Sequence, residues 1–135
     1  MSDTPPELIA PVLDAEDGRA LAEFWRVFLG LPYRSGQGPD DDPNFIVIDD
    51  SSGAPKLAIQ QVDSLPRATW PGGATPQQVH LDLLVRTLEQ QARQVERAVE
   101  LGGVVLDDRS GDAADPLVVL ADPAGHPFCL ICPPQ

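Results

Sequence analysis

The apolar positions of this 135-residue chain fall into two successive runs with the same order of periods. Residues 9–62 and 78–132 each read as a strand, an amphipathic helix closed by Leu-Gly, then two or three short strands. In the first run, Ile9 to Asp14 predicts a strand and residues 17–29 a helix. Leu21, Phe24, Trp25, Phe28 and Leu29 recur at i, i+3, i+4, i+7 and i+8, the single stripe of a half-buried helix. Asp17 is the expected N-cap and Gly30 the expected C′ glycine. Phe45 to Ile48 and Lys56 to Val62 predict two further strands. Residues 34–44, rich in Gly, Pro and Asp, allow only a polar strand end and a loop. In the second run, Val79 to Val85 predicts a strand and residues 87–101 a helix with Leu88, Ala92, Val95 and Val99 buried. Residues 104–106, 117–120 and 128–132 predict three more strands.

Such repetition dictates architecture, because neither unit can bury its apolar face alone. The expected fold is α+β: two tandem βαβββ modules forming a curved, cup-like mixed sheet, with helices packed outside. Residues 1–135 then form a single domain, with modules at 9–62 and 78–132. The linker, 63–77, carries Pro66, Pro71, Gly72, Gly73 and Pro76. Function is expected in the cleft between the modules.

Charge narrows the partners. With 21 acidic and 9 basic side chains the net charge is −12, which repels phosphate backbones and anionic lipid headgroups. Nucleic-acid and membrane partners are not expected. No apolar run approaches the roughly 20 residues of a membrane span, and residues 1–7 lack the pattern of a secretory signal. A cytoplasmic protein is the expectation. The acidic clusters at 40–42, 49–50 and 107–108 read as solvated loop ends, and none has EF-hand spacing.

Cys129 and Cys132 spell a CxxC, yet they lie in an apolar strand pattern. An offset of three on a strand sends side chains to opposite faces, so a redox pair is not expected. The chain contains no GxGxxG, Walker A or GxSxG sequence. Nucleotide-binding, kinase and serine-hydrolase readings are set aside.

Period-two alternation places His80, Asp82 and Leu84 on one face of their strand, opposite Val79, Leu81 and Leu83. A carboxylate two residues from an imidazole can orient a general base, or can form a polar pair that binds nothing. One of Gln60 and Gln61 must face the cup, where an amide suits hydrogen bonding to a ligand. Trp70, in the linker, either stacks on a ligand or plugs the module junction. Arg67 and Arg109 are candidates for an anion or simply solvated. His126 reads as a turn residue.

Three stretches together resemble a known superfamily. Ala20-Leu-Ala-Glu-Phe-Trp-Arg-Val-Phe-Leu-Gly30 is similar to the first helix of the glyoxalase/bleomycin-resistance/extradiol-dioxygenase (vicinal oxygen chelate) proteins. Gln77-Gln-Val-His-Leu-Asp82 is similar to the strand that opens their second module, and Ala121-Asp-Pro-Ala-Gly-His-Pro-Phe-Cys-Leu130 to their last hairpin. The match covers nearly the whole chain and points to the glyoxalase-like subgroup. In metal-dependent members, four residues on cup-facing strands hold a divalent ion that binds vicinal oxygens for isomerisation, dioxygenation or epoxide opening. Those positions fall here on Ala10, Gln60, His80 and Cys129. Ala10 offers no donor, Gln60 is a weak neutral ligand, and Cys129 stands where the family has a glutamate.

The resemblance therefore implies a protein that binds a small molecule in the cup without a standard metal site. Drug-binding members do so, often with the cup completed by a second subunit, and a homodimer is an assembly this allows. Gln60, Trp70, His80, Asp82 and Cys129 are the expected ligand-binding residues, with no cofactor. The alternative is a metal-dependent lyase, isomerase or dioxygenase using His80, with Gln60 and Cys129 as helpers, or with His80 and Asp82 as acid and base.

Overall fold

A computed structural model describes residues 4–37, 42 and 44–135. Most of the Asp40–Asp42 cluster lies outside those residues. In chain order the elements are β1 (Val12–Ala15), α1 (Gly18–Leu29), β2 (Phe45–Asp49), β3 (Pro55–Gln61), β4 (Leu81–Leu84), α2 (Leu88–Glu100), β5 (Val104–Arg109), β6 (Leu117–Ala121) and β7 (Pro127–Ile131). They form a three-stranded sheet of order β1-β3-β2 and a four-stranded sheet of order β4-β7-β6-β5. In each, the first strand runs parallel to the last and the remaining pairs are antiparallel. The polar strand end expected before residue 44 is reduced to a bridge between Tyr33 and Ile48.

The first strand begins later than its apolar residues suggest. Leu8 and Ile9 are largely exposed, and Pro11 contributes only its carbonyl, which accepts from the Ala58 N–H. A proline has no N–H for the ladder, so pairing starts beyond it. From there alternation is strict. Leu13 and Ala15 enter the core, while Val12 and Asp14 lie on the opposite, open face.

Helix α1 follows its sequence pattern closely. Asp17 accepts from the Ala20 N–H, and Gly30 ends the helix at φ 67°, a left-handed conformation that glycine adopts without penalty. Its stripe of Phe24, Trp25 and Phe28 meets Phe128 of β7, with ring centroids 5.0 to 6.1 Å apart. The Trp25 Nε1–H donates to the Asp122 carboxylate at 2.9 Å. The helix of the first module is thus keyed into the sheet of the second. Each aromatic pair adds about 0.5–1.5 kcal/mol beyond simple burial. The helix-facing sides of both sheets share one hydrophobic core.

Helix α2 is turned relative to the expected stripe. Its buried residues are Gln91 and Ala98, whereas Leu88 and Val99 are 40% and 48% exposed and Ala92 is exposed. The cause is a polar anchor: Gln91 Nε2 donates to the carbonyls of Pro116 at 3.1 Å and Leu130 at 3.0 Å. An amide with its N–H groups satisfied is admissible in a core, and it fixes the rotation of the helix. Val79, on the face opposite His80 by alternation, is also exposed. Strand β5 extends to Arg109 along the sheet edge, leaving Val104, Val105 and Leu106 partly exposed.

Candidate functional site

The open face of the four-stranded sheet is built by register. Parallel pairing of β4 with β7 sets Asp82 beside Cys129, and antiparallel pairing of β6 with β7 sets Val119 beside Cys129 and Leu117 beside Ile131. These residues floor a cavity of about 270 Å³ whose walls include His80, Arg109 and the linker residues Trp70 and Pro71. No residue of the first module lines it. The shared cleft expected from the sequence is therefore not formed around His80 within one chain.

His80 is held on three sides. The Trp70 ring stacks on it with centroids 5.1 Å apart and planes 10° from parallel. Gln77 Nε2 lies 3.2 Å from its Nδ1, and Asp82 Oδ1 lies 3.3 Å from its Nε2. The arrangement that satisfies both contacts puts the ring proton on Nε2, facing the carboxylate. Cys129 is 5% exposed. Burial, reinforced by the Asp82 carboxylate, pushes its thiol up to about 11, so at neutral pH it is a small, protonated, weakly polar group.

The other candidates sit elsewhere. Gln60 is exposed on the open face of the three-stranded sheet, paired with Asp14 and Phe45, and does not line the His80 cavity. Gln61 turns to the opposite side and caps helix α1, its Oε1 accepting from the Gly18 N–H at 3.0 Å. That resolves which of the two amides faces outward. Arg109 pairs with Asp107 at the cavity rim.

The four-ligand metal set of the superfamily does not fit this chain. Ala10 lacks a donor, Gln60 does not line the cavity, and a buried cysteine stands at the fourth position, so His80 alone remains of the superfamily's ligand types. Three potential donors do converge: single donor atoms of His80, Asp82 and Cys129 lie within 4.8 Å of one another. Asp82 brings the group together from a position that is not a ligand in the superfamily pattern.

Two interactions escaped the sequence reading. Gln77 contacts His80 from three residues upstream, with no distinguishing pattern around it. His126, expected as a plain turn residue, lies with Nδ1 3.0 Å from Asp122 Oδ2. Asp122 is fully buried and also accepts from Trp25 Nε1 and from the backbone N–H groups of Ala124 and His126. The turn itself was legible from Asp122-Pro-x-Gly, but the Trp25 partner, 97 residues away, was not.

This architecture of paired modules, with an open sheet face and a roofed histidine, places the protein in the glyoxalase/bleomycin-resistance/dioxygenase class. A family model, the glyoxalase-like domain, matches residues 10–131, and the chain belongs to that family. Among solved structures it resembles a glyoxalase/bleomycin resistance protein/dioxygenase family enzyme from Burkholderia phytofirmans, at TM-score 0.71 and 15% identity, covering 94% of this chain and 98% of that one. It also resembles the fosfomycin resistance protein FosX from Mesorhizobium loti, at TM-score 0.67 and 13% identity over 96% and 93% of the two chains. A third likeness is to lactoylglutathione lyase from Agrobacterium tumefaciens, at TM-score 0.61 and 19% identity over 95% and 94%. At these identities the likeness is one of fold. No curated protein matches the sequence. No helix among the described residues is long and apolar enough to cross a membrane.

Proposed function

We propose that this protein binds a small molecule in the open half-cup of its second module, without a standard metal site. The observation that carries this reading is the stacked Trp70–His80 pair beside an apolar floor of Leu117, Val119 and Ile131. A flat aromatic surface over apolar side chains, with a few polar groups at the rim, is the usual make-up of a small-molecule site. Asp82, Asp115 and Arg109 supply that rim. With the net charge at −12, a neutral or cationic ligand is favoured by steering.

The half-cup is open on one side, and the first module presents its own open face, with Val12 and Phe45 each almost half exposed beside Gln60. A second copy covering the half-cup with that face would bring Gln60 to His80. A homodimer with composite sites is part of the proposal.

One observation favours a second reading. The convergence of His80, Asp82 and Cys129 would suit a metal-dependent lyase, isomerase or dioxygenase with an altered ligand set. The test of the first reading is a thermal-shift screen of small aromatic compounds, neutral and cationic, against the full chain and Trp70→Ala. The expected result is a set of stabilising compounds whose effect disappears in Trp70→Ala. Stabilisation unchanged in that variant would remove the half-cup as the binding site.

A further inference from the structure

The two modules do share a cavity, and it lies away from His80. A space of about 240 Å³ opens between β1, the end of the linker and the β6–β7 turn. Val12, Leu65, Pro66 and Val79 give it apolar walls, while Asp14, Gln77 and His126 contribute polar groups.

The polar groups left without partners here are acceptors. The Asp14 carboxylate, on the open face of β1, makes no hydrogen bond or ion pair among the described residues. His126 is held by Asp122 through Nδ1 at 3.0 Å, so its neutral ring retains Nε2 as an acceptor. Gln77 commits Nε2 to His80, and its Oε1 is buried with no hydrogen-bond partner. That oxygen is closed off from the cavity, so the acceptors open to a ligand are those of Asp14 and His126. Arg67 does not fill this role. It packs along Gly125, and its guanidinium donates to the carbonyls of Pro123 and Asp122.

We propose that this seam is a second ligand site, specific for an organic ammonium ion carried on an apolar body. The ammonium N–H groups match the Asp14 carboxylate and His126 Nε2. The hydrocarbon part lies against Val12, Leu65, Pro66 and Val79. A carboxylate facing an ammonium ion makes a charge-assisted hydrogen bond, roughly twice as strong as a neutral one, and the acidity of the whole chain assists approach. An anionic or purely apolar ligand would leave both acceptors unpaired.

The test is an amide NMR titration of the full-length protein with phenethylammonium chloride, and in parallel with the uncharged 2-phenylethanol. The expected result is saturable shifts at Val79 and at Ala124 to His126, with the alcohol at least about tenfold weaker, a difference of roughly 1.4 kcal/mol. Asp14→Asn should bring the amine down to the level of the alcohol. Equal binding of amine and alcohol, absence of saturable shifts at millimolar amine, or shifts confined to Leu117, Val119 and Ile131 would each overturn the seam site.

Discussion

Two cavities of similar size divide this molecule. The one over His80 is built by a single module and its linker, with a wall of side chains standing on an open sheet face. The one beside β1 is built by both modules, against the turn that the buried Asp122 holds in place. The first is an open surface, which the proposed function would cover with a ligand or a second copy. The second is part of the joint on which the fold depends. A polar side chain therefore means different things in the two places. Around Asp122 the hydrogen bonds converge on a fully buried carboxylate and are structural. Around His80 they are exposed at the rim and available for exchange.

The sharpest way to break this contrast is to remove one carboxylate from each region. Asp122→Ala strands the Trp25 N–H in the interior and takes the acceptor from the His126 ring and two backbone N–H groups. It is expected to cost about 3 kcal/mol or more in urea unfolding, whereas Asp82→Ala, at an exposed position, should cost less than about 1 kcal/mol. Equal losses would erase the distinction between joint and site.

Next in size is Gln91→Ala. It leaves the Pro116 and Leu130 carbonyls without the donor that orients α2, and about 2 kcal/mol of stability should be lost. A neutral effect would mean that the helix is held by its apolar residues after all. Trp70→Ala, at a partly exposed linker position, should change stability by less than about 1 kcal/mol. It should weaken half-cup ligands at least about tenfold by the loss of aromatic contact. Calorimetry reads both quantities. A large loss of stability would recast Trp70 as a plug.

The smallest effect concerns Cys129. Its thiol pKa is raised from the ordinary value of 9.0 to about 11, so above pH 9 the unfolded chain releases a proton that the native state retains. Stability tied to this group is present below pH 9 and is lost as pH rises from 9 towards 11. Iodoacetamide labelling of Cys129 in the native protein should stay slow at pH 8. Fast labelling at that pH would show a thiolate, and with it a different site.

Much of the fold was legible from periodicity. The stripe of α1, its Asp17 and Gly30 ends, and the repeated module order follow directly from residue spacing. The rotation of α2 was not, because spacing cannot reveal that Gln91 finds two carbonyls. Local alternation was enough to set His80 and Asp82 on one face, whereas Cys129 joins them through the pairing of β4 with β7. It could not tell that Gln60 stands on a different sheet, since that depends on how two modules dock through Trp25 and Phe128. The seam cavity was invisible for the same reason: Asp14, Gln77 and His126 are brought together only by the tertiary joint.

Whether the half-cup works without a metal is most directly tested by titrating the metal-free protein with Co(II) and watching for the thiolate-to-cobalt charge-transfer band. With no donor at Ala10 and Gln60 outside the cavity, leaving His80 alone of the superfamily's ligand types, the expected result at neutral pH is no such band and no stoichiometric binding. A saturable band at one ion per chain, abolished by Cys129→Ser and by His80→Ala, would contradict that reading and establish the His80–Asp82–Cys129 group as a metal centre.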